Sequence, residues 1–407
     1  FPLKSVAQCV RSSITVIGRD TSMSYHRSDR KAQKSSRNLR LLVLVLVLVF
    51  TTAIGLMHQL LKAGGPVGID ALCPFGAIEA AYSLIATGVI FRRIAVSNFI
   101  LLGAVLATAV TFRRAFCGFV CPLGTLQELS GKLGKALLKR NVAVPAVIDK
   151  PARCLKYVVL AVTVVLSAIT ATLVIRPYDP WVAYHHLVSS NLFSEFLWGF
   201  AVLVLTVVGS FLFSRVFCKY LCPMGAFLAA FHRFGWLGIE RNPDTCIDCG
   251  ACDRACPVDV KVSGSGAIND AECLSCAECV NACPVKDTLY IGKAKGVRIS
   301  ATKALGIVVA IVLVVVGTTT ITRDFQWTTV TLAEQAQDTG QFDAESIRGR
   351  MTLAEVADAA GIPPSAFKAK FEIDDGDLSL PIRDLREKHG FETEQVRAFV
   401  KEYLRNR

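Results

Sequence analysis

The sequence predicts a mostly α-helical membrane protein, in which a polytopic bundle of about five spans carries an inserted cysteine-rich α+β domain and a small all-α C-terminal domain. Three observations predict this fold class. The 407 residues are 52% hydrophobic and 19% charged, with a mean hydropathy of +0.45, which is too apolar for an ordinary soluble protein. Several apolar runs approach the roughly 20 residues that cross a bilayer as a helix. Eight of the fifteen cysteines fall within residues 246–284.

The chain starts with a basic segment, residues 1–40, which we expect to be a disordered cytoplasmic tail. The membrane bundle is expected over residues 41–235, and a last transmembrane helix over residues 299–322. A further apolar segment, 76–91, is short and contains Glu79, so it is expected to be a re-entrant or interfacial helix. The apolar runs that predict the five spans lie at about 41–61, 95–112, 155–175, 195–213 and 300–321.

Positive charge in the connecting loops predicts the orientation of the bundle. The loop over residues 113–156 carries nine lysines and arginines, whereas the loop over residues 176–194 carries only Arg176. Because Lys and Arg accumulate in cytoplasmic loops, we expect the N-terminus, the basic loop and the cysteine-rich domain to face the cytoplasm of a bacterium. Five crossings of the inner membrane then place the C-terminal domain on the outer face. The formal charge of +12 follows from this asymmetry and requires no nucleic-acid partner.

Two copies of one cysteine pattern, C-x2-C-x2-C-x3-C-P, lie in residues 246–284. This spacing is typical of paired [4Fe-4S] clusters, in which the fourth cysteine of each run binds the other cluster, and each proline ends the short helix before it. The predicted ligands of the first cluster are Cys246, Cys249, Cys252 and Cys283. Those of the second cluster are Cys273, Cys276, Cys279 and Cys256.

Disulfides and structural zinc are alternatives for these thiols, but zinc sites draw on separated C-x2-C pairs and not on runs of four. The segment resembles the bacterial two-cluster ferredoxins, and a ferredoxin-like domain is expected over residues 236–298. The resemblance implies electron transfer.

An internal repeat closes two of the predicted spans. FRRAFCGFVCPLG from Phe112 matches FSRVFCKYLCPMG from Phe213. A new interfacial helix should start with Pro122 or Pro223 as its first residue, and cysteines four apart should share a helix face. Three interpretations stay open for the thiols: an additional metal or iron-sulfur centre, two redox-active dithiols, or packing at a helix corner. The four thiols of these CxxxCP corners are Cys117, Cys121, Cys218 and Cys222.

A partial third copy, LCPFGAIEAAY from Leu72, contains one cysteine, Cys73, which is open to a functional or a packing role. On the expected outer side, RPYDPWVAYHHL from Arg176 combines polar and aromatic residues. A quinol oxidation site needs a ring-stacking surface, a hydrogen-bond acceptor and a group that takes up a proton near neutral pH. The alternative is an aromatic belt that anchors helix ends. The candidate quinol residues are Asp179, Trp181, Tyr184, His185 and His186.

After a polar linker, residues 323–350, the C-terminal domain over residues 351–407 contains one unit twice. TLAEVADAAGIPPSAFKAKF from Thr352 matches PIRDLREKHGFETEQVRAFV from Pro381, and each predicts helix, glycine turn, helix. Such hairpins superficially resemble DNA-binding helix-turn-helix units. From Arg323 onward, however, sixteen acidic residues exceed twelve basic ones, whereas DNA phosphates need a basic face. We expect a docking domain for an outer electron-transfer partner.

The spans, the ferredoxin motifs and the CxxxCP corners together resemble the NapH/NosR-type membrane polyferredoxins, including YccM-like and CcoG-like proteins, over residues 40–322. The resemblance implies electron transfer between the quinone pool or a cytoplasmic donor and a partner oxidoreductase, by a subunit more often than by a stand-alone enzyme. Two features depart from the family. There is no room for the large N-terminal flavin-binding domain of NosR proper, and the C-terminal region does not read as the β-rich domain of CcoG-like copper reductases.

The leading hypothesis is therefore a membrane-bound electron-transfer subunit with quinol or quinone as its small-molecule partner. One alternative is a thiol- and cluster-dependent reductase of copper or another soft metal, since thiolates favour Cu(I). A second alternative is a membrane redox sensor.

Overall fold

The structure is a computed structural model, and its helices and strands form two units. Unit 1 comprises Phe1–Ala53 and Asp70–Phe325. Unit 2 comprises Ile54–Ile69 and Gln326–Arg407. The structure describes residues 20–60, 73–88, 96–138, 144–170, 173–189, 192–232, 234–264, 266–293, 296–325, 327, 344, 347, 349 and 351–405. Residues 1–19 of the predicted tail and most of the predicted linker lie outside the described residues.

The chain before the cysteine-rich domain is helical. In chain order its helices are α1 (Asp20–Leu60), α2 (Pro74–Thr87), α3 (Val96–Phe112), α4 (Ala115–Phe119), α5 (Pro122–Leu138), α6 (Ala146–Ala152), α7 (Leu155–Thr170), α8 (Pro180–His185), α9 (Leu192–Glu195), α10 (Leu197–Leu212), α11 (Val216–Tyr220) and α12 (Pro223–Phe231). Among these helices, the most extensive packing joins α10 to α5 and α2 to α7. The two copies of the repeat therefore pack against each other, because α5 follows the first corner and α10 precedes the second.

The cysteine-rich domain is an α+β fold around a three-stranded antiparallel sheet with the strand order β1-β2-β3. Its elements are β1 (Gly238–Arg241), α13 (Ala251–Ala255), α14 (Glu278–Ala282), β2 (Leu289–Gly292) and β3 (Arg298–Ile299). Because β1 pairs with β2 along its whole length, both cysteine runs lie in the chain that connects two neighbouring strands. Cys256 and Cys283 directly follow the short helices α13 and α14, each before its proline, as the sequence predicts.

After the domain comes α15 (Ala301–Ile321). Three helical segments are long and apolar enough to cross a membrane, namely Arg30–Leu60, Val147–Thr170 and α15 itself. α3 and α10 are apolar but have only 17 and 16 residues. The five predicted spans correspond to these five segments, and three of them have the length of a full crossing. α2 has 14 residues, or about 21 Å, less than the roughly 30 Å of a bilayer core.

The disorder predicted for residues 1–40 is wrong from Asp20 onward, because α1 starts there and runs into the apolar segment without a break. The polar half of the helix is held by contacts with the cysteine-rich domain. Gln33 Nε2 donates to the carbonyl oxygen of Cys283 at 2.9 Å, and Arg40 is 2% exposed and bound by carboxylates. Tertiary contacts of this kind stabilise helices that composition alone does not predict.

One apolar core runs from the membrane helices into the cysteine-rich domain. It contains Phe112 of α3 and Val308 of α15 together with Ile239 of β1 and Leu274 of the second cysteine run. All four side chains are buried. The domain therefore shares its core with α3 and α15 and is not a free ferredoxin tethered by linkers.

The described part of unit 2 contains both predicted repeats and has its own apolar core. Its helices are α16 (Leu353–Ala360), α17 (Pro364–Phe371), α18 (Ile382–His389) and α19 (Thr393–Arg405). Gly361 and Gly390 have φ angles of +61° and +75°, so each repeat is a helix, a left-handed glycine and a second helix. A capping box between Thr352 and Glu355 starts α16.

Candidate iron-sulfur centres

The first cavity of the cysteine-rich domain is lined by four thiols from both runs: Cys246, Cys249, Cys252 and Cys283. Left-handed backbone at Asp248 and Gly250 turns the first run around this cavity. Cys249 is exposed and Cys252 is buried, so the cavity lies at the domain surface with one side accessible.

The second cavity is lined by the other four thiols of the runs: Cys256, Cys273, Cys276 and Cys279. Left-handed backbone at Ser275 and Ala277 turns the second run in the same way. The rest of the lining is aliphatic, and Cys276 and Cys279 are both 8% exposed. The second cavity therefore lies inside the shared core, in contrast to the surface position of the first.

The donor set of both cavities fits [4Fe-4S] clusters. Each cavity presents four soft thiols, and among the described residues no three His, Cys, Asp or Glu side chains converge on a single metal ion. Four thiols spread around a cavity suit a [4Fe-4S] cube, because its four iron atoms are bound by four different thiolates. Burial raises the pKa of Cys256 to about 12 and that of Cys273 to about 11. These thiols are therefore protonated at neutral pH unless metal binding displaces their protons.

The CxxxCP corners are built alike, but their cysteines do not share a helix face as predicted. In each copy a five-residue helix, α4 or α11, carries the first cysteine, Cys117 or Cys218. The helix ends before the second cysteine because a residue that precedes proline disfavours helical geometry. Cys222 is accordingly extended and caps the next helix, whose first residue is Pro223. Helix α5 likewise starts at Pro122, so the predicted start of both helices at proline is confirmed.

Two arginines connect the corners crosswise. Arg215 of the second copy donates from Nη1 to the carbonyl oxygen of Cys117 at 2.9 Å, and a β-carbon added at Gly124 would lie 3.1 Å from that nitrogen. Reciprocally, a β-carbon added at Gly225 would lie 2.9 Å from Nη2 of Arg114. The arginine of each copy thus packs on the CPxG glycine of the other, and the absence of a side chain makes room for it.

The four corner thiols lie close to one another in the protein interior. Burial and then the neighbouring thiols raise the pKa of both Cys121 and Cys222. Gln127 Nε2 donates to Sγ of Cys218 at 3.2 Å, and the backbone N–H groups of Gly124 and Gly225 point at the second cysteine of their own corner. The corners therefore form one cluster of four thiols, two from buried and two from half-buried cysteines, with N–H donors directed at three of them.

Basic residues that predict orientation also hold the cysteine-rich domain in place, which the charge count did not predict. Lys156 is fully buried and forms an ion pair with Glu272, which directly precedes the second cysteine run. Arg113 and Arg153 donate to backbone carbonyls at the second cavity, those of Ile268 and Val258, at 2.7 and 3.0 Å. A charge count records the sign of a loop and not its partners, and the acidic Glu272 is the signal that could have indicated this contact.

The candidate quinol residues fall in the loop between α7 and α10. Trp181 stacks on Tyr184 with ring centroids 5.4 Å apart, and the His185 ring lies edge-on to Trp181 at 4.4 Å. Asp179 caps α8, since its Oδ1 accepts from the backbone N–H of Trp181 at 2.8 Å. The ring of His186 packs instead on that of Phe196, with centroids 4.2 Å apart. The structure thus brings three aromatic candidates together, places Asp179 at the start of their helix and directs His186 elsewhere.

Cys73 directly precedes α2 at its N-cap position, without a side-chain capping bond, and its carbonyl oxygen accepts from Nδ2 of Asn98 at 3.1 Å. On the same helix Glu79 is fully buried, and its Oε1 accepts from Oγ of Ser167 at 2.6 Å. In the part of the chain that the structure describes, its Oε2 has no hydrogen-bond partner. From the sequence, Glu79 predicts only that a crossing is disfavoured, and its burial is not predicted.

Comparison with known families matches both parts of the site. A family model described as a 4Fe-4S binding domain matches residues 94–141 and 195–239, which contain the two copies of the repeat. A second, described as a 4Fe-4S dicluster domain, matches residues 238–284. No solved structure matches the chain.

Relatives match parts of the chain. It is 30% identical over 203 residues to YccM of Escherichia coli strain K12, whose name assigns it to electron transport; the match covers 48% of this chain and 56% of YccM. It is 30% identical to the regulatory protein NosR of Pseudomonas aeruginosa, over 36% of this chain and 20% of NosR. It is also 30% identical to the uncharacterized protein MJ0750 of Methanocaldococcus jannaschii, over 47% of this chain and 75% of MJ0750. The chain thus spans about half of YccM and a fifth of NosR.

The apolar helices, the two cysteine cavities and these matches define a membrane iron-sulfur protein with [4Fe-4S] binding domains. Within that class, the chain belongs to the NapH/NosR-type membrane ferredoxin family. The resemblance carried by the cysteine motifs is confirmed.

Proposed function

We propose that the protein is a membrane-bound electron-transfer subunit with one [4Fe-4S] cluster in each cysteine cavity. The observation that carries the proposal is the exchange of the fourth cysteines, since each cavity takes three thiols from one run and its fourth from the other. When bound, each cluster accepts and releases one electron. The ligands would be Cys246, Cys249, Cys252 and Cys283 for the first cluster and Cys256, Cys273, Cys276 and Cys279 for the second.

The test is the metal content and the spectrum of the full chain, purified in detergent without oxygen. Two cubes require about eight irons and eight labile sulfides per chain, and after reduction with dithionite we expect the EPR spectrum of two interacting clusters. Cys154, which is exposed and lines neither cavity, provides the matched control as Cys154→Ser. An iron content near that of a single cube would contradict the proposal.

The surroundings of the cavities favour a route from water toward the membrane. The first cavity has an exposed thiol, Cys249, so a redox partner in water can approach it closely. The second cavity lies in the core shared with α3 and α15 and beside the corner at Cys117. We propose that the protein holds the two sites in this order, between a partner at the surface and the membrane helices.

We also propose that the five apolar segments all cross the membrane, with the cysteine-rich domain in the cytoplasm. The segments approach this domain with alternating ends, which supports the proposal. Contacts with the domain come from Arg40 before the apolar part of α1, Arg113 after α3, Lys156 near the start of α7 and Lys219 after α10, while α15 starts directly after β3. Impermeant thiol reagents applied to intact cells should label a cysteine placed in the C-terminal domain, and a protected cysteine there would contradict this topology.

For the far end of the bundle we propose a quinol or quinone site at the aromatic cluster of Trp181, Tyr184 and His185. The cluster is tied to the opposite end of α1 by Thr52, whose Oγ1 lies 3.1 Å from the hydroxyl oxygen of Tyr184. Stacked rings beside imidazole and carboxyl groups can bind a quinone ring and accept its protons. Menaquinol or ubiquinol in detergent should reduce the purified protein, and no reduction by either would contradict the site.

The four corner thiols are proposed as an additional redox centre. Their burial, their N–H donors and the match of an iron-sulfur family model to both corners support this role. Iron bound beyond about eight atoms per chain, and lost in Cys117→Ser, would indicate an iron centre. Reduction of added cupric ion without any response to quinol would instead favour the alternative of a soft-metal reductase.

A further inference from the structure

Two buried guanidinium groups lie beside the second cysteine cavity. Arg40 donates from Nε to the carbonyl oxygen of Gly118 at 3.0 Å, and the fully buried Arg215 donates from Nη1 to that of Cys117 at 2.9 Å. Gly118 in turn is pressed against the cavity, because a β-carbon added there would lie 2.9 Å from both Cα and Cβ of Cys276. Arg40 therefore binds the residue that touches a proposed cluster ligand, Cys276, and Arg215 binds the residue before it.

The two arginines share one counter-ion. Glu128 accepts from Nη2 of Arg40 and from Nη2 of Arg215, at 2.7 Å in both cases. Arg40 also binds Glu278 at 2.6 Å, whereas Arg215 has no other carboxylate within ion-pair distance among the described residues. Because Arg215 is fully buried, water does not screen its charge as it screens a surface lysine. Arg215 is therefore the less neutralised of the two cations at the second cavity.

We infer that the positive charge of Arg215 raises the reduction potential of the cluster in the second cavity. Electrons are thereby drawn from the exposed first site toward the thiol corners. A cluster gains one negative charge on reduction, and a nearby buried cation stabilises that form. Glu278, which lies between Cys276 and Cys279 in the sequence and is 14% exposed, has the opposite effect. This inference rests on the proposed function, because it requires a cluster in each cavity.

The experiment is an EPR-monitored redox titration of the full chain in lipid nanodiscs, with the signal of each cluster assigned through Cys283→Ser. In Arg215→Gln we expect the potential of the second cluster to fall while that of the first stays unchanged. Arg215→Lys, which keeps the charge, should keep most of the potential. Glu278→Gln should raise it. The matched control is Lys132→Gln, which changes a half-exposed partner of the same Glu128 and should shift neither potential.

The opposite signs separate electrostatics from a loss of structure, because a loosened cavity would not raise the potential in one variant and lower it in the other. A wild-type chain without two clusters would disprove the proposed function itself. Two clusters whose potentials are unchanged in Arg215→Gln, or a second-cluster potential that rises there, would overturn this inference alone. If Arg215→Gln does not fold, Arg215→Met, which also removes the charge, is titrated in its place, and an unchanged or higher second-cluster potential in that variant overturns the inference.

Discussion

Gly118 of the first thiol corner and Cys276 of the second cysteine run are in direct contact, with no side chain between them. A β-carbon at Gly118 would lie 2.7 Å from the carbonyl oxygen of Leu274 and 2.9 Å from Cα of Cys276. This contact joins the membrane repeat to the second cavity. It gives a physical reason for glycine within the first CxxxCP motif, where the second copy has the buried Lys219.

We predict that Gly118→Ala separates the corner from the cavity. The added carbon meets backbone atoms that cannot rotate away, so we expect a loss of stability of about 1–3 kcal/mol, typical of an overpacked core. Part of the iron of the second cavity should be lost as well. Thermal unfolding in detergent and iron analysis measure the two effects. The control is Gly103→Ala on α3, where an added carbon meets nothing within 4 Å; equal behaviour of the two variants would contradict the prediction.

The exchange of fourth cysteines predicts which substitutions share a phenotype. Cys283→Ser should change the spectrum of the same cluster as Cys246→Ser, although the two residues belong to different runs. Cys256→Ser should instead resemble Cys273→Ser. Each variant should lose or convert one cube, about four irons. EPR spectra of the reduced variants measure this, and a Cys283→Ser spectrum that matches Cys273→Ser would show that ligation does not cross between the runs.

Asp179 offers a way to separate helix capping from proton transfer at the aromatic cluster. Its Oδ1 accepts from the N–H of Trp181, and asparagine caps a helix about as well as aspartate. We therefore expect Asp179→Asn to keep wild-type stability, and Asp179→Ala to lose about 1 kcal/mol. If the carboxylate accepts a quinol proton, Asp179→Asn should slow quinol-driven reduction by about a hundredfold.

Stopped-flow reduction by quinol, compared with reduction by dithionite, measures the effect of Asp179→Asn. Dithionite should reduce the variant at the wild-type rate because it needs no proton acceptor in this loop. A wild-type rate with quinol as well would leave Asp179 with the capping role alone.

Glu128 predicts how the stability of the corner depends on pH. Burial favours its neutral form, but Arg40 and Arg215 outweigh burial and hold the pKa of this carboxyl well below its usual range. A lowered folded-state pKa contributes stability above the unfolded-state pKa of about 4.3, and that stability is lost as the pH falls toward the folded-state value. Glu128→Gln should therefore cost about 3–5 kcal/mol at pH 5 and pH 7 alike, as when a buried pair is broken.

Below about pH 4, where the wild type starts to lose the same interaction, the difference between Glu128→Gln and wild type should shrink. Denaturation in detergent across this range measures it. Lys132→Gln removes only a half-exposed partner of Glu128 and should cost less than about 1 kcal/mol. A difference that grows toward acid would contradict the assignment of Glu128 as a buried anion.

Much of the site could be predicted from residue spacing. As the spacing predicts, the last cysteine of each run lines the cavity of the other run: Cys283 lines the first cavity and Cys256 the second. The helices that start at Pro122 and Pro223 follow from the conformational limits of proline. Two predictions were wrong: that the two cysteines of each corner share a helix face, and that the chain before Arg40 is disordered from Asp20 onward. Helical spacing does not take account of the strain that a following proline imposes on a cysteine. Composition does not show which partners a basic segment contacts in the folded protein.

By itself the sequence determined the apolar segments, the two cysteine runs and the repeat, because hydrophobicity, proline geometry and ligand spacing act over a few neighbouring residues. Only the tertiary structure decided that Gly118 touches Cys276 and that the buried Lys156 forms an ion pair with Glu272. It also decided that Arg114 and Arg215 each pack on the CPxG glycine of the other copy. These contacts join residues ninety or more positions apart. Their free energy depends on burial and charge pairing, which exist only after the helices have packed.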